Sequence, residues 1–94
     1  MSIEFEWDTA KAKINAKRHP GVRFDEAKTV FDDELSITID DPDHSAEEDR
    51  YIDIGRSIKG RLLVVSYTER GGKYRIISAR KATSAEREKY GNYE

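Results

Sequence analysis

The chain opens on a short alternation, with Ile3, Phe5 and Trp7 apolar around Glu4 and Glu6, and then changes period. Ala10, Ala12 and Ile14 follow Asp8, whose carboxylate is suited to cap a helix, and the pattern predicts a helix as far as Arg18. His19, Pro20 and Gly21 end it, because proline cannot continue the hydrogen-bond ladder and glycine tolerates the conformation that follows. Phe24, Ala27, Val30 and Phe31 return at helical spacing and predict a second, shorter helix from Asp25 to Phe31.

After Asp32, Asp33 and Glu34 the period becomes two. Leu35 to Ile39 alternates as a half-buried strand should, and the acidic stretch Asp40 to Asp49 reads as an exposed loop. Tyr51 to Ile58 places Ile52, Ile54 and Ile58 at even spacing, and Lys59-Gly60 turns the chain back as a hairpin. Strands Arg61 to Glu69 and Lys73 to Arg80 flank Gly71-Gly72, a dipeptide suited to the positive dihedrals of a tight turn. A turn of even length sets Glu69 against Tyr74, Tyr67 against Ile76 and Leu63 against Arg80 on one side. It sets Thr68 against Arg75, Ser66 against Ile77 and Val64 against Ala79 on the other; an odd length reverses one strand's faces. Thr83 and Glu86 form a capping box for a last helix that runs to Tyr90 before Gly91. The expectation is an α+β fold: a small antiparallel sheet with two N-terminal helices and a C-terminal helix.

With 94 residues there is room for one domain, residues 1–94, and for a modest core. The 38% of charged residues lies at the polar end of globular composition, but 36% hydrophobic residues, aromatics among them, suffice to fold it. The chain has no cysteine, so neither a disulfide framework nor a thiolate metal site is available. No apolar run approaches a membrane span and Met1 to Phe5 lacks a signal-peptide pattern, so a cytoplasmic protein without a membrane partner is expected.

Charge changes the picture more than composition does. Residues 1–53 carry 7 basic and 15 acidic side chains, whereas residues 54–94 carry 10 basic and 4 acidic ones. Between Arg56 and Lys81 stand eight lysines and arginines and a single acid, Glu69, over the two best predicted strands. A cationic sheet suits a polyanion, RNA foremost, while the acidic half repels it or meets a basic partner. The plainer alternative is a solvated surface whose opposite charges pair within the fold.

A further pattern runs through the whole chain: Phe5-Glu6-Trp7-Asp8 with Lys11 and Asn15, then Gly21-Val22, Phe24 and Val30-Phe31-Asp32. It continues through Asp43-His44-Ser45, Ile54-Gly55, Gly60-Arg61-Leu62-Leu63, Tyr67-Thr68-Glu69-Arg70 and Arg75-Ile76-Ile77-Ser78-Ala79-Arg80, with Glu86 and Tyr90. Together these closely resemble the BrnT family of bacterial type II toxins. Two departures are visible. Arg18-His19-Pro20-Gly21 stands where the family commonly runs Lys-His-Gly, and Arg23 where a small capping residue is usual. Both fall at helix boundaries. The resemblance implies a RelE-like ribonuclease fold and a ribbon-helix-helix antitoxin, BrnA, that binds the toxin and represses the shared operon. RNA would then be the substrate, and operator DNA would be met only indirectly, through the antitoxin.

Cleavage of RNA without metal requires a base for the 2′-hydroxyl, positive donors for charge building on phosphorus, and a proton for the 5′-oxygen. Arginine supplies the donors, since its fork matches phosphate oxygens and stays charged. Arg75 and Arg80 stand in the strand Lys73 to Arg80, among Ile76, Ile77, Ser78 and Ala79, and are the first candidates; their alternative is pairing with Glu86 or Glu88. Glu69 reads either as the base or as a salt-bridge partner, and His44 as a proton carrier or as a loop cap among Asp40, Asp41, Asp43, Glu47 and Glu48. Lys59, Arg61 and Arg70 are candidate phosphate contacts. Tyr67 and Tyr74 could stack on bases or lie half-buried in the sheet. His19 reads as a helix-end residue facing the last carbonyls. His44 with Asp41, Asp43 and Glu47 offers metal-type ligands at a spacing that matches no defined motif, and no cofactor is expected. The reading from another class is a non-catalytic module that binds a DNA-binding partner and modulates repression. On either reading the antitoxin is expected to cover the basic face or the groove beside the terminal helices.

Overall fold

A computed structural model of the chain describes residues 3–41 and 49–91. Strand β1 (Glu4–Glu6) leads into helix α1 (Thr9–Arg18), where the Asp8 carboxylate accepts from the backbone N–H of Ala10 at 2.8 Å and of Lys11 at 3.3 Å. Helix α2 (Phe24–Ala27) continues as a 3-10 helix (Lys28–Asp32), so the segment expected as one short α-helix tightens after its first turn. There the Thr29 hydroxyl donates to the Glu26 carbonyl at 2.6 Å, one of the ways in which the orphan carbonyls of a helix end are satisfied. Strands β2 (Ile37–Asp40), β3 (Arg50–Arg56), β4 (Leu62–Arg70) and β5 (Lys73–Lys81) follow, and helix α3 (Ser84–Gly91) is the last described element. The capping box holds: Glu86 Oε1 accepts from Thr83 N at 2.8 Å, and Thr83 Oγ1 from Glu86 N at 3.3 Å.

The five strands of the described residues form one sheet in the order β1-β5-β4-β3-β2. It is mixed rather than antiparallel, because β1 runs parallel to β5 with Phe5 beside Tyr74 and Glu6 beside Arg75. β1 covers only Lys73 to Arg75 of the outer edge of β5. Farther along, Asn15 of α1 takes the place of a strand: its amide donates to the Ala79 carbonyl at 2.9 Å and accepts from the Ala79 N–H at 3.1 Å. This buried asparagine satisfies two backbone groups that would otherwise be orphaned and fixes α1 to the sheet.

One face of the sheet lies under α1, α2 and the 3-10 helix. Val22, Phe24, Ala27 and Val30 pack there on Leu63, Val65, Ile76 and Ala79, with Phe5, Trp7 and Phe31 at the margin. A second, smaller cluster lies on the other face, where Tyr90 of α3 meets Ile54, Leu62 and Val64. The Tyr90 hydroxyl donates to Asp33 at 2.7 Å, which ties the last helix to the far end of the 3-10 segment. Gly71 and Gly72 have φ of +56° and +80°, the pair of positive dihedrals a two-residue hairpin turn requires, and Arg70 pairs with Lys73 across it.

Beyond the turn the predicted register holds for Glu69 with Tyr74, Thr68 with Arg75 and Tyr67 with Ile76, and then shifts. Ser66 pairs with Ser78, Val65 with Ala79, Val64 with Arg80 and Leu63 with Lys81, so the expected pairings of Ser66 with Ile77, Val64 with Ala79 and Leu63 with Arg80 are each off by one. Ile77 is the extra residue of a β-bulge, which alternation in the sequence does not reveal.

Candidate nucleic-acid interface

The bulge decides where the arginines point. Side chains five residues apart in an unbroken strand leave opposite faces of a sheet. With one residue inserted, Arg75 pairs with Thr68 and Arg80 with Val64, four residues apart on β4, so both arginines share the face turned away from α1 and α2. By the same registers Arg50, opposite Thr68, and Arg70 with Lys73 also belong to this face, and Ser66 and Ser78 lie between. Helix α3 packs over the Ile54, Leu62 and Val64 end of it. Arg70 and Lys73 are exposed, and Arg50, Arg75 and Arg80 are half-buried.

Each of the two candidate arginines is held by a carboxylate. Arg75 Nη1 donates to Glu6 Oε2 at 2.7 Å, with the two side chains 27% and 33% exposed. Arg80 forms a two-pronged pair with Glu86, both contacts at 2.7 Å, and Nη1 also reaches the Lys81 carbonyl at 3.3 Å. The Arg80 guanidinium is the main reason that the Glu86 carboxyl falls to about 2, and Glu86 in turn raises Arg80 above its ordinary value. The bidentate geometry that grips a carboxylate is also the one that grips a phosphate, and a partly exposed pair exchanges partners at modest cost. The pairing of Arg80 with an acid of the last helix, foreseen as the plainer alternative, is therefore present alongside its accessibility.

The other candidates separate. Glu69 pairs with Tyr74 and so stands on the helix-covered side, away from Arg75 and Arg80. It is exposed there, and with Asp49 and Asp40 it helps raise the Tyr51 hydroxyl above its ordinary value. Tyr67 is 5% exposed, and its ring lies 4.8 Å from Tyr74, 4.9 Å from Phe31 and 5.6 Å from Tyr51 between centroids. Burial is the chief reason that its hydroxyl is pushed up to about 12. Of the two readings of Tyr67, stacking on a base or lying within the sheet, its burial in an aromatic cluster of the fold favours the second.

Lys59 and Arg61 belong to a different structure. Glu26, 5% exposed, accepts from Ser57 Oγ at 2.6 Å and from Arg61 Nε at 2.9 Å, and pairs closely with Arg61 Nη2, while Lys59 Nζ lies 4.0 Å away. Arg61 Nη2 also donates to the Gly21 carbonyl at 2.6 Å. The Arg61 hydrogen bonds hold Glu26 below its usual carboxyl value against the burial that opposes them. Arg61 is thus a brace between α2 and the β3–β4 turn, and a substrate phosphate would have to break that brace to reach it. Arg70 lies on the open face as described, and His44 falls outside the described residues. Sequence reasoning missed Arg50, whose place on this face only the β3–β4 pairing shows, and Lys73, which alternation two residues before Arg75 already puts on the same face. Among the described residues, no three His, Cys, Asp or Glu side chains gather as metal ligands, and no helix is long and apolar enough to cross a membrane.

Fold and surface together define a small α+β domain, with helices packed on one side of a mixed sheet and a cationic, partly uncovered face on the other. The family model described as the ribonuclease toxin BrnT of type II toxin-antitoxin systems matches residues 7–86. The chain belongs to the BrnT family of ribonuclease toxins. The crystal structure of the Brucella abortus ribonuclease toxin BrnT is similar to it, with a TM-score of 0.63 and 21% sequence identity, over 88% of this chain and 100% of that one. No individually curated protein matches the chain.

Proposed function

We propose that this toxin is a metal-independent endoribonuclease of the RelE-like kind, which cuts RNA by attack of the neighbouring 2′-hydroxyl and so halts translation in the cytoplasm. The observation that carries the reading is the β5 bulge, which brings Arg75 and Arg80 to one face and leaves both within reach of solvent. In this reading the two guanidinium groups leave Glu6 and Glu86 for the phosphate, and their donors stabilise charge as it develops on phosphorus. Arg50, Arg70 and Lys73 extend the electrostatic track along the strand. A ribbon-helix-helix antitoxin of the BrnA type neutralises the enzyme by covering this face, and operator DNA is met only through that antitoxin.

The test is cleavage of a defined RNA by partner-free protein in EDTA, with the terminal phosphate of the product analysed. Wild type should leave a 2′,3′-cyclic phosphate, and Arg75→Ala and Arg80→Ala should each lose about 100-fold in rate while remaining folded. Absence of cleavage by folded wild type on several RNAs would favour the non-catalytic partner-binding module instead. Full activity in either alanine variant would remove that arginine from the site.

A further inference from the structure

A cavity of about 440 Å³ opens where three element ends meet: the C-terminus of α1, the end of β5 and the start of α3. Arg18, His19, Arg80, Lys81 and Thr83 line it together with the apolar Pro20 and Val22. Four basic residues therefore line one concavity, and no acid stands among its described lining residues. Glu86 is engaged with Arg80 in the bidentate pair, with Oε1 also accepting from Thr83 N. The negative end of the α1 dipole accounts for Arg18 and His19 at that terminus. It does not account for Lys81, which arrives from the sheet, nor for the hollow between them.

The hollow is built rather than incidental. The His19 N–H donates to the Asn15 carbonyl at 2.8 Å, and the His19 carbonyl accepts from Val22 N at 3.0 Å, so the backbone carrying the imidazole is fixed on both sides. Asn15 is itself bonded to Ala79, which sets α1 at a fixed height over β5 and places the helix end beside Lys81. Arg80 belongs to both surfaces: its strand position faces the open sheet, and the residue is part of the cavity lining.

We infer that this cavity is a phosphate-binding subsite, occupied by a backbone phosphate of the RNA strand that continues past Arg80 from the open face. Arg18 and Lys81 supply charge, and His19 supplies a ring N–H donor from a fixed backbone. The inference rests on the ribonuclease reading for the source of the phosphate, and on the cavity alone for its chemistry.

The experiment measures binding of a fluorescent 2′-O-methyl RNA, which cannot undergo attack by its own 2′-oxygen, across a salt series. The proteins are wild type, an Arg18→Ala/Lys81→Ala variant, and a Lys11→Ala/Lys28→Ala control of equal charge. The pocket variant should bind about fivefold or more weakly than the control. The slope of log affinity against log salt should be shallower by about 0.7 to 1.4, the equivalent of one or two single-strand phosphate contacts. Equal losses in pocket variant and control would overturn the subsite while leaving the RNA reading intact. His19→Gln, the smallest change at the fixed backbone, repeats the comparison if the double variant is not folded. In parallel, inorganic pyrophosphate is titrated into the wild type and the His19 ring signals are followed by NMR. Shifted ring signals together with no RNA binding would establish a phosphate site whose source is free polyphosphate, and would refute the ribonuclease face instead. Unshifted signals at millimolar pyrophosphate would overturn the pocket altogether.

Discussion

Glu86→Gln tests the Arg80 clasp most directly. Glu86 sits with its carboxyl at about 2 against an ordinary 4.5, chiefly because of Arg80 and then, after the opposing effect of burial, because of the Thr83 N–H. At about 1.4 kcal/mol per pH unit, that gap has a ceiling of about 3 kcal/mol. The side chains are 23% and 38% exposed, so solvent screening cuts the expected contribution to about 1.5 kcal/mol. The folded-state value is depressed, so this stability is fully present above about pH 4.5 and is lost as pH falls through about 2. Urea denaturation at pH 7 should find Glu86→Gln about 1.5 kcal/mol less stable than wild type, and the difference should shrink towards zero by pH 2. Taking the difference between the two proteins cancels titration elsewhere, including that of Asp53, which runs with the opposite sign. The same variant leaves Arg80 without its anionic partner, so RNA binding should tighten severalfold at low salt. A variant as stable as wild type at pH 7, or a difference that does not vary with pH, would refute the assignment of Glu86 as an ionised partner of Arg80.

Asp53 is 1% exposed, and burial raises its carboxyl to about 6 although Thr38 and Ser36 hydrogen-bond to it. A raised carboxyl value makes folding less favourable as pH climbs from about 4 through about 6, so Asp53→Asn should gain about 1–2 kcal/mol at pH 7.5 and little at pH 4. A thermal-melting pair at those two pH values would show it, and a lower melting temperature for the variant at pH 7.5 would count against it. A Cβ at Gly55 would lie 2.9 Å from Ser36 Cβ and from Val30 Cγ1, so Gly55→Ala should cost about 1–3 kcal/mol in denaturant titration. A cost near zero would mean that the β3 backbone moves away from the 3-10 helix freely. Asn15→Ala leaves two backbone groups of Ala79 without their partner and should cost about 1–3 kcal/mol, with faster amide exchange at Ala79. Unchanged exchange there would show that α1 is not what secures that edge.

The local signals in the chain were sufficient wherever the deciding atoms lie within a few residues of one another. Asp8 caps α1, Pro20 and Gly21 follow its end, Gly71-Gly72 turns the hairpin, and Thr83 with Glu86 starts α3, each by contacts across two or three positions. Charge segregation likewise needs only the order of residues, and it pointed to the strands that carry the open cationic face. Sheet membership and facing are another matter. The parallel pairing of β1 with β5 and the bulge at Ile77 depend on packing between segments far apart in the chain, and a one-residue shift exchanges the two faces of a strand. That shift joined Arg75 to Arg80. It also took Arg80 off the side that Glu69 keeps through its predicted pairing with Tyr74, and helix packing buried Tyr67. Arg61 shows the same division: its charge was legible in the sequence, but only the folded chain brings Glu26 beside it from 35 residues away and turns a candidate phosphate contact into a brace.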